Sequence, residues 1–189
     1  MGVRAMSWLW RPRRPRILMV GRYGRCRAPM AELILRHKLA EAGTPRLLQV
    51  QSAATHLLPA RPALDPRAAR VLARQGVIDG PVKPRQLRPR DLEDQDWLLA
   101  MDRKTLEHLR GLGAFTGLDS RVRLITDYPL RYRWEEVPDP YFSNEEGFVR
   151  VYGMLERSVE AFLMDFLVCP RWGDDAVREP RRRYGRLRL

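Results

Sequence analysis

Four short apolar runs punctuate the chain: "ILMV" (17–20), "LLQV" (47–50), "WLLAM" (97–101) and "VRLI" (122–125). Each has the length of a strand and little polar alternation, the pattern of strands buried on both faces. The stretches between them carry apolar residues at helical spacing. Met30, Leu33, Ile34 and Leu39 place a stripe on a first helix that should stop near Gly43. "DPRAARVLARQG" (65–76) predicts a second, with Asp65 as cap, Pro66 at its first position and Gly76 past its end. "RKTLEHLRGLG" (103–113) predicts a third. A long fourth is expected over 144–167 with Asn144 capping it, although Gly147 and Gly153 weaken its continuity. Strands alternating with helices predict an α/β single domain: a four-stranded parallel sheet with helices on both faces. No internal repeat is present.

Composition sets bounds on this picture. The 189 residues are 44% hydrophobic and 31% charged, a globular balance that excludes general disorder. The net charge of +12 sits mainly at the ends, in "RPRRPR" and "REPRRRYGRLRL". A folded domain over 16–169 is therefore expected, with a basic N-terminal extension (1–15) and a basic C-terminal tail (170–189). Such arms are either solvated or adhesive to polyanions; nucleic acid and an anionic membrane surface, with Trp8, Leu9 and Trp10 as wedges, are the candidates. "MSWLW" is too short for a signal-peptide core and no run reaches the ~18 residues of a membrane span, so a cytoplasmic protein is expected. Cys26 and Cys169 are the only cysteines, and His37, His56 and His108 lack ligand spacing. No disulfide framework, metal or cofactor is expected.

The first strand runs directly into "VGRYGRCRAPMAE" (20–32). Glycines, three arginines and then a helix opened by Pro29 are the means by which a chain aims backbone N–H groups and a positive helix end at one anion. Arg22, Tyr23, Gly24, Arg25, Cys26 and Arg27 are the candidate anion-binding residues.

These residues resemble the signature of the low-molecular-weight protein tyrosine phosphatases, V-C-x-G-N-x-C-R-S-P-x-A-E, and match it at Val20, Cys26, Arg27, Pro29, Ala31 and Glu32. "SAAT" (52–55), the second helix, "RQL" (85–87), "AMD" (100–102) and "VPDPYF" (137–142) resemble further family segments in the same order, over roughly residues 16–168. The resemblance implies a thiolate nucleophile, an arginine clamp six residues later, and a carboxylic acid that protonates the leaving group. Arg27 stands at the clamp and Asp139 at the acid, with Tyr141 and Phe142 placed to wall an aromatic substrate. The nucleophile position is Gly21, which has no side chain to attack phosphorus. Gly24, Ala28 and Val82 replace the family's supporting Asn, Ser and His; of that network only Ser52 remains.

The sequence thus favours a family member that binds phosphate, phosphotyrosine or another oxyanion without efficient hydrolysis, Asp139 being a vestigial acid. Its partner would be a phosphorylated protein or a small oxyanion. A glycine at position 21 is expected to deepen the pocket. Two alternatives stay open: an active phosphatase with an altered nucleophile, either Cys26 or water, and a polyanion-binding protein acting through its tails. Asp102 is expected to be structural, and Trp97 to pack at the third apolar run.

Overall fold

Successive side chains of the first apolar run point to opposite faces, and that alternation splits the protein into two cores. The computed structural model describes residues 13–57, 64–77, 80, 82–83, 85–113, 121–128 and 135–168. Most of the expected arms, with Trp8, Leu9, Trp10, Cys169 and Trp172, lie outside those residues. In β1 (Arg16–Gly21), Ile17 and Met19 face one core while Leu18 and Val20 face the other, all four fully buried. The first core is completed by α1 (Arg27–Glu41), α2 (Pro66–Arg74) and α5 (Glu145–Val168). The second is closed by α3 (Asp91–Asp94) and α4 (Arg103–Gly113).

The sheet is parallel throughout, in the order β3-β2-β1-β4-β5, with β2 at Gln49–Ala54, β3 at Arg85–Gln86, β4 at Trp97–Ala100 and β5 at Val122–Leu124. The α/β architecture with helices on both faces stands as the hydrophobic pattern implies, but five strands replace the expected four. The additional strand, β3, is a two-residue edge piece with no apolar run of its own, held by pairing with Ala53 and Ala54. β2 also starts two residues later than its apolar run, because Leu47 and Leu48 belong to the approach to the strand. Trp97 lies in β4, 3% exposed, with Phe162 and Phe166 edge-on to its ring.

The predicted helix signals act as written. Asp65 accepts from the Arg67 N–H at the start of α2, and Gly76 takes φ +74° beyond its end. Asn144 accepts from the Gly147 N–H at the head of α5, which runs unbroken through both of its glycines. Gly147 is required there: a Cβ would overlap the Ser143 side chain, whose hydroxyl donates to the Pro140 carbonyl at 2.7 Å. No described helix is long and apolar enough to cross a membrane.

The chain leaves β1 toward β2 and later returns to the other side of β1 as β4, so the strand order reverses there. In sheets of this kind the crevice at the carboxyl ends beside the reversal is where ligands sit. Loop 22–26 and Asp102, just past β4, both lie at that point.

Candidate anion site

The loop is suspended by its carbonyls. Thr55 and His56 donate their N–H groups to the carbonyls of Gly21 and Arg22, and Asp65 donates to that of Arg25. Its own N–H groups are treated differently. From Arg22 to Ala28, no backbone N–H donates a hydrogen bond to another described residue. α1 opens with Cys26 at its cap position, without a side-chain cap and without an acid in the first turn. Gly24 sits at φ +68°, the left-handed conformation that a tight, N–H-presenting turn needs.

The arginines divide into two kinds. Arg22 is exposed and lies over the Tyr23 ring, 5.1 Å from its centroid. Arg25 Nε is buried and has no hydrogen-bond partner among the described residues. A buried cationic donor left without a partner is costly, and an anion is its natural complement. Arg27, in contrast, is engaged on every side described. Its Nη1 donates to the Val137 carbonyl (2.9 Å) and lies 2.8 Å from Asp102 Oδ2, while Nη2 reaches Asp139 Oδ2 at 3.4 Å. Arg27 therefore ties the start of α1 to the end of β4 and to the 137–139 segment.

Asp102 was not among the residues that the sequence singled out for chemistry, yet it is Arg27's closest charged partner. Burial pushes its carboxyl up, but the Thr105 hydroxyl and N–H and the Arg27 guanidinium together hold it below the ordinary range. The pair is separated by 75 positions in sequence, so no local motif could signal it; only its place at a strand end beside the loop was available.

Cys26 is the described thiol at the loop. Cys26 is buried, and its thiol is pushed up to about 12, first by desolvation and then by Asp65 and Asp139, against the weaker pull of Arg67 and Arg25. At neutral pH it is a protonated thiol, the unreactive form. Gly21 does not open a deeper pocket as expected: a Cβ built there would stand 3.2 Å from Ala28 Cβ, because the first turn of α1 closes against it. Ser52, last of the expected supports, is buried, and its Oγ has no hydrogen bond of good geometry among the described residues. It biases only Glu32, whose carboxyl is raised by burial and drawn partly back by Ser52 and Arg36. Val82, where a supporting histidine would stand, packs against the first core.

Across the loop, Asp139 accepts from the Tyr141 N–H at 3.1 Å and remains 41% exposed. Tyr141 and Phe142 meet edge-on with centroids 5.0 Å apart, and Phe142 is 94% exposed. Arg67, unremarked in the sequence, fixes this wall. It donates to the carbonyls of Tyr141 (3.0 Å) and Ser143 (3.1 Å) and packs over the Phe148 ring at 4.5 Å.

The chain matches a known family. The family model described as low molecular weight phosphotyrosine protein phosphatase matches residues 16–168. The chain is similar to the low molecular weight protein-tyrosine-phosphatase Etp of Escherichia coli, 35% identical over 145 residues, 75% of this chain and 88% of Etp. It is 30% identical to a putative low molecular weight protein-tyrosine-phosphatase of Synechocystis over 132 residues, 69% of this chain and 83% of that protein. The crystal structure of a low molecular weight phosphotyrosine phosphatase from Vibrio cholerae superposes with a TM-score of 0.74 at 28% identity, covering 81% of this chain and 97% of the other.

Proposed function

This chain belongs to the low molecular weight phosphotyrosine protein phosphatase family, and from that premise we propose that it holds a phosphoryl group or another oxyanion without cutting it. The observation that carries the reading is the run of undonated N–H groups from Arg22 to Ala28, beside the unpartnered Arg25 Nε. A set of donors left open at a helix N-terminus, with a half-buried guanidinium beside it, supports an anion as the missing partner. The absent side chain at Gly21 and the protonated Cys26 thiol support binding without turnover.

The favoured ligand is a phosphotyrosine side chain of a partner protein, its ring against Tyr141 and Phe142. Asp139 retains the position of a leaving-group acid with no phosphoenzyme to form. The binding unit spans residues 16–168, and the basic ends lie outside it.

The test combines turnover and binding. Unaltered protein should cleave an aryl phosphate no faster than a Cys26→Ser variant, while Gly21→Cys should gain activity. Inorganic phosphate should bind the unaltered protein and bind Arg25→Ala about tenfold more weakly, as expected for one lost charge-assisted hydrogen bond. Turnover by the unaltered protein that vanishes in Cys26→Ser would instead establish the altered-nucleophile reading. Equal phosphate affinity in Arg25→Ala would remove the loop as the anion site.

A further inference from the structure

The amino ends of the strands carry a second concentration of guanidinium groups. A cleft of about 250 Å³ opens there between β1, β2 and the 85–95 segment, walled by Arg16, Gln49, Gln51, Arg85, Arg88 and Arg90. Its volume corresponds to about eight waters, so its occupant is a small group and not a drug-sized molecule. Arg16 pairs in register with Gln49 five residues before Gly21 meets Ala54, which puts the Arg16 end of the cleft about 17 Å of strand away from the loop. It also lies at the end of the sheet opposite the crevice where ligands of such folds normally sit.

The acids around the cleft are largely committed. Both oxygens of buried Asp91 are taken by Arg85, at 2.6 and 2.9 Å, and one also accepts the Arg88 N–H at 2.7 Å. Asp96 is held by Arg13 at 2.9 and 2.6 Å and by the Arg16 N–H at 2.7 Å. Asp94 also stands on the wall. The side chains of Arg16, Arg88 and Arg90 make no ion pair or hydrogen bond with any described residue. Arg85 is fixed by Asp91 and by Gln51 Oε1 at 3.4 Å, and Gln51 keeps its amide N–H groups. Three uncommitted guanidiniums with amides between make a donor-rich and electropositive hollow. Planar guanidinium forks and amide N–H groups together match phosphoryl oxygens.

We infer that this cleft is a second oxyanion site, independent of loop 22–26, taking the phosphoryl groups of a small phosphorylated ligand. The probe is pyrophosphate, titrated into the full chain while the side-chain amide resonances of Gln49 and Gln51 are followed by NMR. Those amides should shift saturably in the unaltered protein and equally in Arg25→Ala. In Arg88→Ala/Arg90→Ala the affinity should fall at least about tenfold. Both arginines are exposed, so the thermal melt of that variant should be unchanged. Unmoved amides, or the same affinity in the double variant, would overturn the site. Full affinity in Arg88→Lys/Arg90→Lys would also overturn it, since charge alone would then suffice without the planar forks. Vesicles containing phosphatidic acid identify the source of the group: pelleting that the alanine pair abolishes assigns a lipid headgroup, and a pyrophosphate shift without pelleting assigns a soluble ligand. The cleft variants leave the loop intact, so failure here is separable from failure of the loop reading, which Arg25→Ala reports.

Discussion

Arg27 and Asp102 are 7% and 12% exposed, so removing either leaves a buried charge without its nearest countercharge. Asp102→Asn keeps an acceptor for Thr105 but not the countercharge, and should lower stability by about 3 kcal/mol in urea denaturation. A double-mutant cycle with Arg27→Met should show strong coupling, the second change costing far less than the first. The same pairing bears on binding. An oxyanion entering the loop meets N–H groups and Arg25 that are open to it, but must share Arg27 with two carboxylates. Arg27 is thus a tie between α1, β4 and the 137–139 segment before it is a clamp. None of this is visible in the motif, which names the arginine and is silent about a carboxylate past the end of another strand.

Among the elements, the head of α5 governs how the Asp139 loop is held. Gly147→Ala should evict Ser143 from its contact with the Pro140 carbonyl and cost about 1–3 kcal/mol, read as a lower midpoint in chemical denaturation. Gly153→Ala provides the contrast. A Cβ there meets only Arg157 Nη2 at 3.5 Å, an ordinary contact, and should stabilise the helix by about 0.5–1 kcal/mol. Equal effects at the two glycines would refute the steric account. Two glycines in one helical pattern look alike in sequence, and only the course of the preceding turn separates them. β1, α2 and α4 were legible because each is written locally, in an apolar run or in cap residues. β3 was not, because two residues paired at a sheet edge need no hydrophobic signal, and neither was Arg67, whose partners come from 74 and 76 positions away.

For the whole molecule, the shifted groups predict a stability plateau bounded on both sides. Asp65, held down by Arg67's hydrogen bonds against partial burial, and Asp102 both lie below the ordinary 3.8. Their contribution is complete above that value and is lost as pH falls beneath it. Glu32 has the opposite sign, being raised, and makes the acid limb shallower. Cys26, raised from 9.0 to about 12, and Tyr128 and Tyr152, raised chiefly by burial, stabilise the fold fully below their unfolded values. That contribution is lost as pH rises past about 9. Urea midpoints measured from pH 2 to 11 should therefore fall below about pH 4 and above about pH 9; a flat alkaline limb would show that Cys26 and the tyrosines titrate freely. The seam between Gly21 and Ala28 adds a directional consequence. With the helix settled into the space that a side-chain carbon would need, a cysteine at position 21 must push that turn outward by a few tenths of an ångström. That push holds down the activity that Gly21→Cys gains, and the larger gain is expected when Gly21→Cys is joined to Ala28→Gly.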